Sequence, residues 1–300
     1  MTTDSSLTPP TSNRNSMAPS PLAPQLDSLS ERILKSQAAN NCDFQSSSEV
    51  RESLREYWDV AAVALNTPAE QNQLVSLWFD RLWAMHANDP HRHYHTAVHL
   101  LEMCMYFDEV NPVVNTSPGR ANDVPPVELP RKDVTAILLA IFFHDAVYDG
   151  KSSTNEEDSA ALFLDFAVQV SLDADLKSDV VTMILASKSH TVDETVSSFG
   201  CCLFLDLDMA VLGKEAHAYQ NYAGLIRMEY SFVPHDLYCE KRATVLEGFV
   251  KKPIFSTDIF RDVLEKRAIA NLNAEIVSLK ASVIPGSTRS LEQHLEAVKS

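Results

Sequence analysis

Apolar residues recur along most of this chain at intervals of three and four, the period of a helix with one buried stripe. Leu74, Leu77, Trp78, Leu82 and Met85 form one such face, and a second helix is predicted over about 96–109. The segment KDVTAILLAIFFHDAVYD (132–149) is apolar almost all round, which predicts a central, buried helix. Thr154-Asn155-Glu156-Glu157 has the S/T-x-x-E spacing of a capping box and predicts a helix to about Gln169. Further helices are predicted over about 175–189, 206–212, 215–232, 236–251 and 257–282. In the last, Phe260, Leu264, Ala268 and Leu272 make the packed stripe beneath a charged, solvated face. No segment alternates convincingly at period two and no internal repeat is present, so the fold class is all-α, a helical bundle.

Proline marks the boundaries. Residues 1–48 are rich in Ser, Thr, Asn and Pro and lack apolar period; such a leader cannot offset its ordering entropy and is expected to be disordered, with at most a helical turn near 29–34. Pro112, Pro118, Pro125, Pro126 and Pro130 fall in a loop inserted at 111–131. The expectation is one helical domain over 49–282, followed by a polar tail at 283–300.

Charge narrows the partners. Acids exceed bases by 41 to 25, a formal charge of -16, and such a surface repels polyphosphate backbones and anionic lipid. Extended nucleic acid and membranes are therefore not expected, whereas a small anionic ligand can be received by a metal or a few local cations. The five cysteines show no CxxC spacing and read as free thiols of a reducing compartment. No apolar signal region or long apolar run occurs, which points to the cytoplasm. With only seven glycines, and neither GxGxxG nor GxxxxGK[ST], the usual glycine-rich phosphate loops are absent.

One constellation carries chemistry. The buried helical run ends in Phe142-Phe143-His144-Asp145, and an ionised Asp there is costly unless a cation compensates it. Adjacent helical residues point about 100° apart, so both reach one ion only at the helix edge, and other helices must complete the set. His95 and His99, four apart, are placed on one helix face and can supply a nitrogen. The apolar run Phe204-Leu205-Asp206-Leu207-Asp208 offers a further carboxylate, with Asp206 and Asp208 equally eligible.

The order H…HD…D resembles the signature of the HD superfamily of metal-dependent phosphohydrolases. The chain is most similar to a branch with R-x-YH-xxx-H (Arg92 to His99), FHDxVYD (Phe143 to Asp149), NExxSA (Asn155 to Ala160), DxDxxxLG (Asp206 to Gly213) and IRxEY (Ile226 to Tyr230). The likeness spans about residues 70–280. It implies an HD-domain helical bundle with His99, His144, Asp145 and Asp208 as metal ligands, since members with a D-x-D segment mostly use the second acid. Tyr94-His95-x-x-x-His99 is similar to the YHNxxHA stretch of cyclic-nucleotide phosphodiesterases, which makes His95 the proton donor; here Thr96 replaces the Asn and Leu100 the Ala.

The same resemblance makes His190 a second-metal or phosphate contact, with a helix-terminal His as its plain alternative. Glu156 is a candidate to activate water, or simply an acid favoured in a first helical turn. Arg92 and Arg227 are candidate phosphate clamps, Arg227 equally a structural partner of Glu229. Nitrogen and carboxylate ligands without thiolate suit Mn, Fe, Co, Ni or Zn. The implied activity is hydrolysis of a small phosphorylated metabolite, nucleotides among them, by metal-activated water attacking phosphorus. The alternatives are a non-catalytic metal-binding or scaffolding HD module, and an HD-fold di-iron oxygenase, which calls for more histidines than His190 between the HD pair and the last Asp.

Overall fold

The computed structural model describes residues 27, 28, 31, 47–65, 71–114, 127–191 and 198–283. Ten α-helices and no strand occur among them: α1 (Ser48–Ala64), α2 (Asn72–Ala87), α3 (Ala97–Val110), α4 (Arg131–Phe143), α5 (Asn155–Gln169), α6 (Ala174–Ala186), α7 (Phe199–Met209), α8 (Ala216–Glu229), α9 (His235–Phe249) and α10 (Asp258–Ser282), with a 3-10 turn at Ala210–Gly213. The all-α expectation is met. Most of the expected leader, the middle of the 111–131 insertion and the tail after Val283 lie outside the described residues. Asp27, inside the leader, does reach the domain: it accepts a 2.7 Å hydrogen bond from Arg267.

Helix α4 is the centre, as its all-round apolarity requires. Every residue from 135 to 143 is buried, and the helix packs against α1, α3, α5, α6 and α7. An aromatic cluster fills the space beside it. Trp58 of α1 meets Phe142 edge-on at 5.1 Å, Trp78 of α2 meets Phe166 of α5 at 5.5 Å, and Phe143 meets Phe163 at 5.2 Å, all geometries that aromatic quadrupoles favour. A second unit lies along α10, which packs on α9 and on the 3-10 turn. Phe260, Leu264, Ala268 and Leu272 form its buried stripe, as the apolar pattern predicts.

Four details differ from the pattern. Helix α1 is not among the helices delimited above, although Val50, Leu54, Tyr57, Trp58 and Ala61 bury at helical spacing. In α2 the buried face is Val75, Trp78, Phe79, Leu82 and His86, and Leu77 is exposed, because the stripe is set by the aromatic cluster it meets. Helix α7 begins at Phe199, well before the expected 206. The Thr154 capping box does not form: Thr154 has φ -123° and ψ 18°, outside the extended region a cap needs, and its hydroxyl donates to Asp158 at 2.9 Å. Glu157 turns instead to Lys188.

No described helix is long and apolar enough to cross a membrane. Cys104, Cys201 and Cys239 are free thiols.

Candidate metal centre and its cavity

His99 enters from the first turn of α3. Thr96 caps that helix, its Oγ1 accepting from the Val98 amide at 3.3 Å. His95 therefore precedes the cap, and the shared helix face expected for His95 and His99 does not exist; their rings stand 6.0 Å apart and nearly perpendicular. The Thr at position 96 suits this role, since a short hydroxyl side chain is a favoured cap.

His144 is the terminal cap of α4, and Asp145 follows in the turn. The chain leaves the helix here, so the two side chains converge without sharing a helix edge. His144 Nδ1 lies 3.0 Å from the Ile141 carbonyl, an acceptor only, so Nδ1 carries a proton and Nε2 is the nitrogen turned to the cluster. That Nε2 is 3.1 Å from Asp145 Oδ2 and 3.8 Å from Asp208 Oδ1, yet makes no hydrogen bond. His99 Nε2 lies 3.2 Å from Asp208 Oδ1 and 3.9 Å from Asp145 Oδ2, also without a hydrogen bond. Two buried ring nitrogens thus converge on two carboxylates with nothing between them to satisfy either, which is the arrangement a cation resolves. His99, His144 and Asp145 alone bring one ligand atom each within 4.8 Å of one another, a cluster that could hold a metal ion. Asp208 is outside that group of three, with its Oδ1 3.2 Å from His99 Nε2 and 3.8 Å from His144 Nε2, and nitrogen and carboxylate donors of this kind fit a divalent transition metal.

The carboxylates stay ionised against their burial. Desolvation pushes Asp145 upward, but His144 and His95 pull it well below the usual carboxylate range. Asp208 is likewise raised by burial and held far down by His190, His99 and His144. Burial disfavours the charged form of His144, but Asp145 and Asp208 outweigh it and push the ring up to about 9.

Asp206 has a different task. Its Oδ1 accepts from the Ser256 amide at 2.7 Å, and its Oδ2 from the Thr257 amide at 2.7 Å and hydroxyl at 2.6 Å. It closes the start of α10 and takes no part in the cluster. Of the two acids left open by the sequence, Asp208 is the one beside His99 and His144.

His190 sits just beyond α6 with φ 47°, a left-handed conformation uncommon outside glycine. The backbone turn brings its Nε2 to 2.8 Å from Asp208 Oδ2, the oxygen not facing His99. Glu156, His95 and His190 all line the cavity of about 400 Å³ that opens on the cluster.

Arg92 and Arg227 require correction as phosphate clamps. Arg92 is buried, and its guanidinium donates to the carbonyls of His95 (3.1 Å), Asp145 (2.6 Å) and Ala146 (2.9 Å). It ties the turn before α3 to the turn after α4. Arg227 donates to the Tyr230 and Val233 carbonyls and lies over the Tyr238 ring, and it makes no ion pair with Glu229. Neither lines the cavity. The cations that do are Lys188 and Arg242, both missed in the sequence because they belong to no recognised pattern. Lys188 Nζ pairs with Glu157 at 2.5 Å and lies 3.8 Å from Glu156; Arg242 pairs with Glu275 at 3.0 Å.

The NExxSA stretch also works structurally. Asn155 accepts from the Asp149 amide and donates to its carbonyl, each at 3.0 Å, and Ser159 does the same for Val147 at 3.0 and 3.2 Å. The loop after Asp145 is thereby pinned to the start of α5.

Glu229, also missed, is the most heavily used side chain near the site. Its Oε1 accepts from the amides of His93, Tyr94 and His95 at 2.8, 2.8 and 3.0 Å. Its Oε2 faces His95 Nδ1 at 2.6 Å and accepts from the Tyr148 hydroxyl at 2.8 Å. Burial raises its pKa, but His95 and these amides bring it down to about 2. Burial lowers the pKa of His95, and Asp145, Glu229 and Asp208 together overcome that and raise it.

No protein-family model, curated protein or solved structure matches this chain.

Proposed function

We propose that this protein is a metal-dependent phosphohydrolase of the HD superfamily acting on a small phosphorylated metabolite. The observation that carries the reading is the pair of buried nitrogens, His99 Nε2 and His144 Nε2, which make no hydrogen bond and face Asp208 and Asp145 at 3.2 and 3.1 Å on the floor of a cavity. A divalent cation held by these four residues would supply Lewis acidity, making a water nucleophilic near neutral pH and neutralising charge on phosphoryl oxygens.

The remaining roles belong to this chain's own side chains. His95 stands at the cavity wall as proton donor to the departing oxygen, a contribution of about 10²–10⁴-fold in such reactions. Lys188 and Arg242 replace Arg92 and Arg227 as the positive groups that receive phosphate oxygens. Their ion pairs with Glu157 and Glu275 hold them in place while leaving donors for a ligand. His190 orients Asp208 through its second oxygen, as outer partners of metal-ligating carboxylates do. Glu156 lies on the cavity wall, where it can take a proton from water. A cavity of about 400 Å³ with Tyr222, Tyr230 and Phe249 on its apolar side suits a phosphomonoester or small diester carrying a ring, and is too small for a polymer.

Metal content of the purified protein tests the reading, followed by phosphate release from a panel of phosphometabolites with Mn, Fe, Co, Ni and Zn added separately. Bound metal with turnover of at least one ester is the expected outcome. Bound metal without turnover would point to the non-catalytic module, and a metal-free protein indifferent to chelators would remove the proposal.

A further inference from the structure

The turn that carries His95 is held from two sides. Arg92 grips its carbonyl and Glu229, from the last turn of α8, grips three consecutive amides. One carboxylate oxygen would suffice to fix the main chain. The second oxygen of Glu229 is spent on the His95 ring and on Tyr148, whose ring stacks on that of His95 at 4.4 Å and 29°. The contact spans 134 residues of sequence, so it is a product of the tertiary fold.

From this geometry we infer that Glu229 is a positioning residue for the proposed reaction: it locks the His95 ring with Nδ1–H turned to the carboxylate and Nε2 left for the substrate's leaving oxygen. An ionised carboxylate can only accept, so the proton between the two groups resides on Nδ1. The Tyr148 ring blocks rotation of the imidazole on one face, and the Tyr94 ring stands edge-on at 5.0 Å on another side. The charged groups around the ring are Glu229 from α8, Asp145 beyond α4, Asp208 from α7 and Arg92 from its own turn. Asp145 and Asp208 would share their charge with the metal, so Glu229, 2.6 Å from Nδ1, is the anion that favours the doubly protonated ring. When the bond from phosphorus to the ester oxygen breaks, its electron pair stays on that oxygen and the Nε2 proton follows. The water that forms the new bond to phosphorus gives up its proton to Glu156 on the cavity wall, and Nδ1–H stays on Glu229 throughout.

This inference rests on the phosphohydrolase reading, and its test separates the two. Glu229→Gln preserves volume and keeps one oxygen for the three amides, but places a donor where His95 needs an acceptor. With the metal-loaded protein, Glu229→Gln is expected to lower turnover of an alkyl phosphate about 100-fold and that of nitrophenyl phosphate no more than a few-fold, because an activated leaving group needs little protonation. His95→Ala should show the same split, and the double variant should lose no more than either single one. Equal losses on both esters, or additive losses in the double variant, would overturn the assignment. Nitrogen-resolved histidine NMR gives a readout that needs neither turnover nor a stable Glu229 variant. In wild type the His95 signal, identified by its absence in His95→Gln, should report a protonated Nδ1, and a bare Nδ1 would refute the lock. If wild type hydrolyses no phosphate ester with any metal, the functional reading falls while the NMR result still decides whether Glu229 fixes the ring.

Discussion

The two carboxylates of α7 serve opposite faces of one helix. Asp206 and Asp208 are two residues apart, about 200° around the helical axis, and both emerge from the same apolar run. Asp206 turns to the α10 side, where it does for that helix what a capping residue normally does from its own chain segment, satisfying the amides of Ser256 and Thr257. Asp208 turns to the α3 and α4 side, where it meets histidines. One acid serves stability and the other the candidate chemistry. The chemical identity of the side chain says nothing about which is which; the neighbour on each face decides it.

The largest effect should come from the cluster face. Asp208→Ala is expected to weaken binding of Mn or Zn, measured calorimetrically, by about 100-fold or more, beyond what loss of an outer partner costs. Asp206→Ala should leave that affinity within a few-fold of wild type. The comparison breaks if the two variants exchange these behaviours. On the stability side the order reverses. Asp206→Ala strands the buried amide and hydroxyl of Thr257 and the half-buried amide of Ser256, a loss of about 2–4 kcal/mol visible in the urea midpoint.

The two faces should also respond to pH with opposite sign. Burial, against its hydrogen bonds, pushes Asp206 up from 3.8 to about 6. A raised folded value means that its favourable contribution is complete below about pH 4 and is lost as pH rises through about 6. Asp206→Asn cannot ionise, so its stability relative to wild type should climb by about 2–3 kcal/mol between pH 4 and 7 in chelator-treated protein. Asp208 is raised by burial but held well below its usual range by the histidines, so its contribution is present above about pH 4 and lost as pH falls further. Denaturant titrations of Asp206→Asn, Asp208→Asn and wild type across this range measure both slopes, and parallel curves would show that the faces do not differ electrostatically.

The smallest effect concerns the glycine that follows. A Cβ on Gly213 would lie 2.5 Å from Leu264 Cβ, since the 3-10 turn packs directly on α10. Gly213→Ala should therefore cost about 1–3 kcal/mol through forced displacement of α10, with unchanged metal affinity. A loss of metal in this variant would show that the α10 side supports the cluster after all, and that the two faces are coupled.

The amino-acid sequence by itself determined the helical period, the burial of α4, the stripe of α10 and the order His99, His144-Asp145, Asp206-x-Asp208, because these depend on local spacing and on the cost of leaving apolar surface in water. It could not place His95 before the Thr96 cap, where a one-turn spacing reads as a shared face. Nor could it assign the arginines: Arg92 and Arg227 looked available, and folding spent both on main-chain carbonyls. Lys188, Arg242 and above all Glu229 acquired their places only when helices distant in sequence packed together. A buried polar side chain must be satisfied by whatever the tertiary structure brings within about 3 Å, and that partner is set by the packing of helices, which no local pattern encodes.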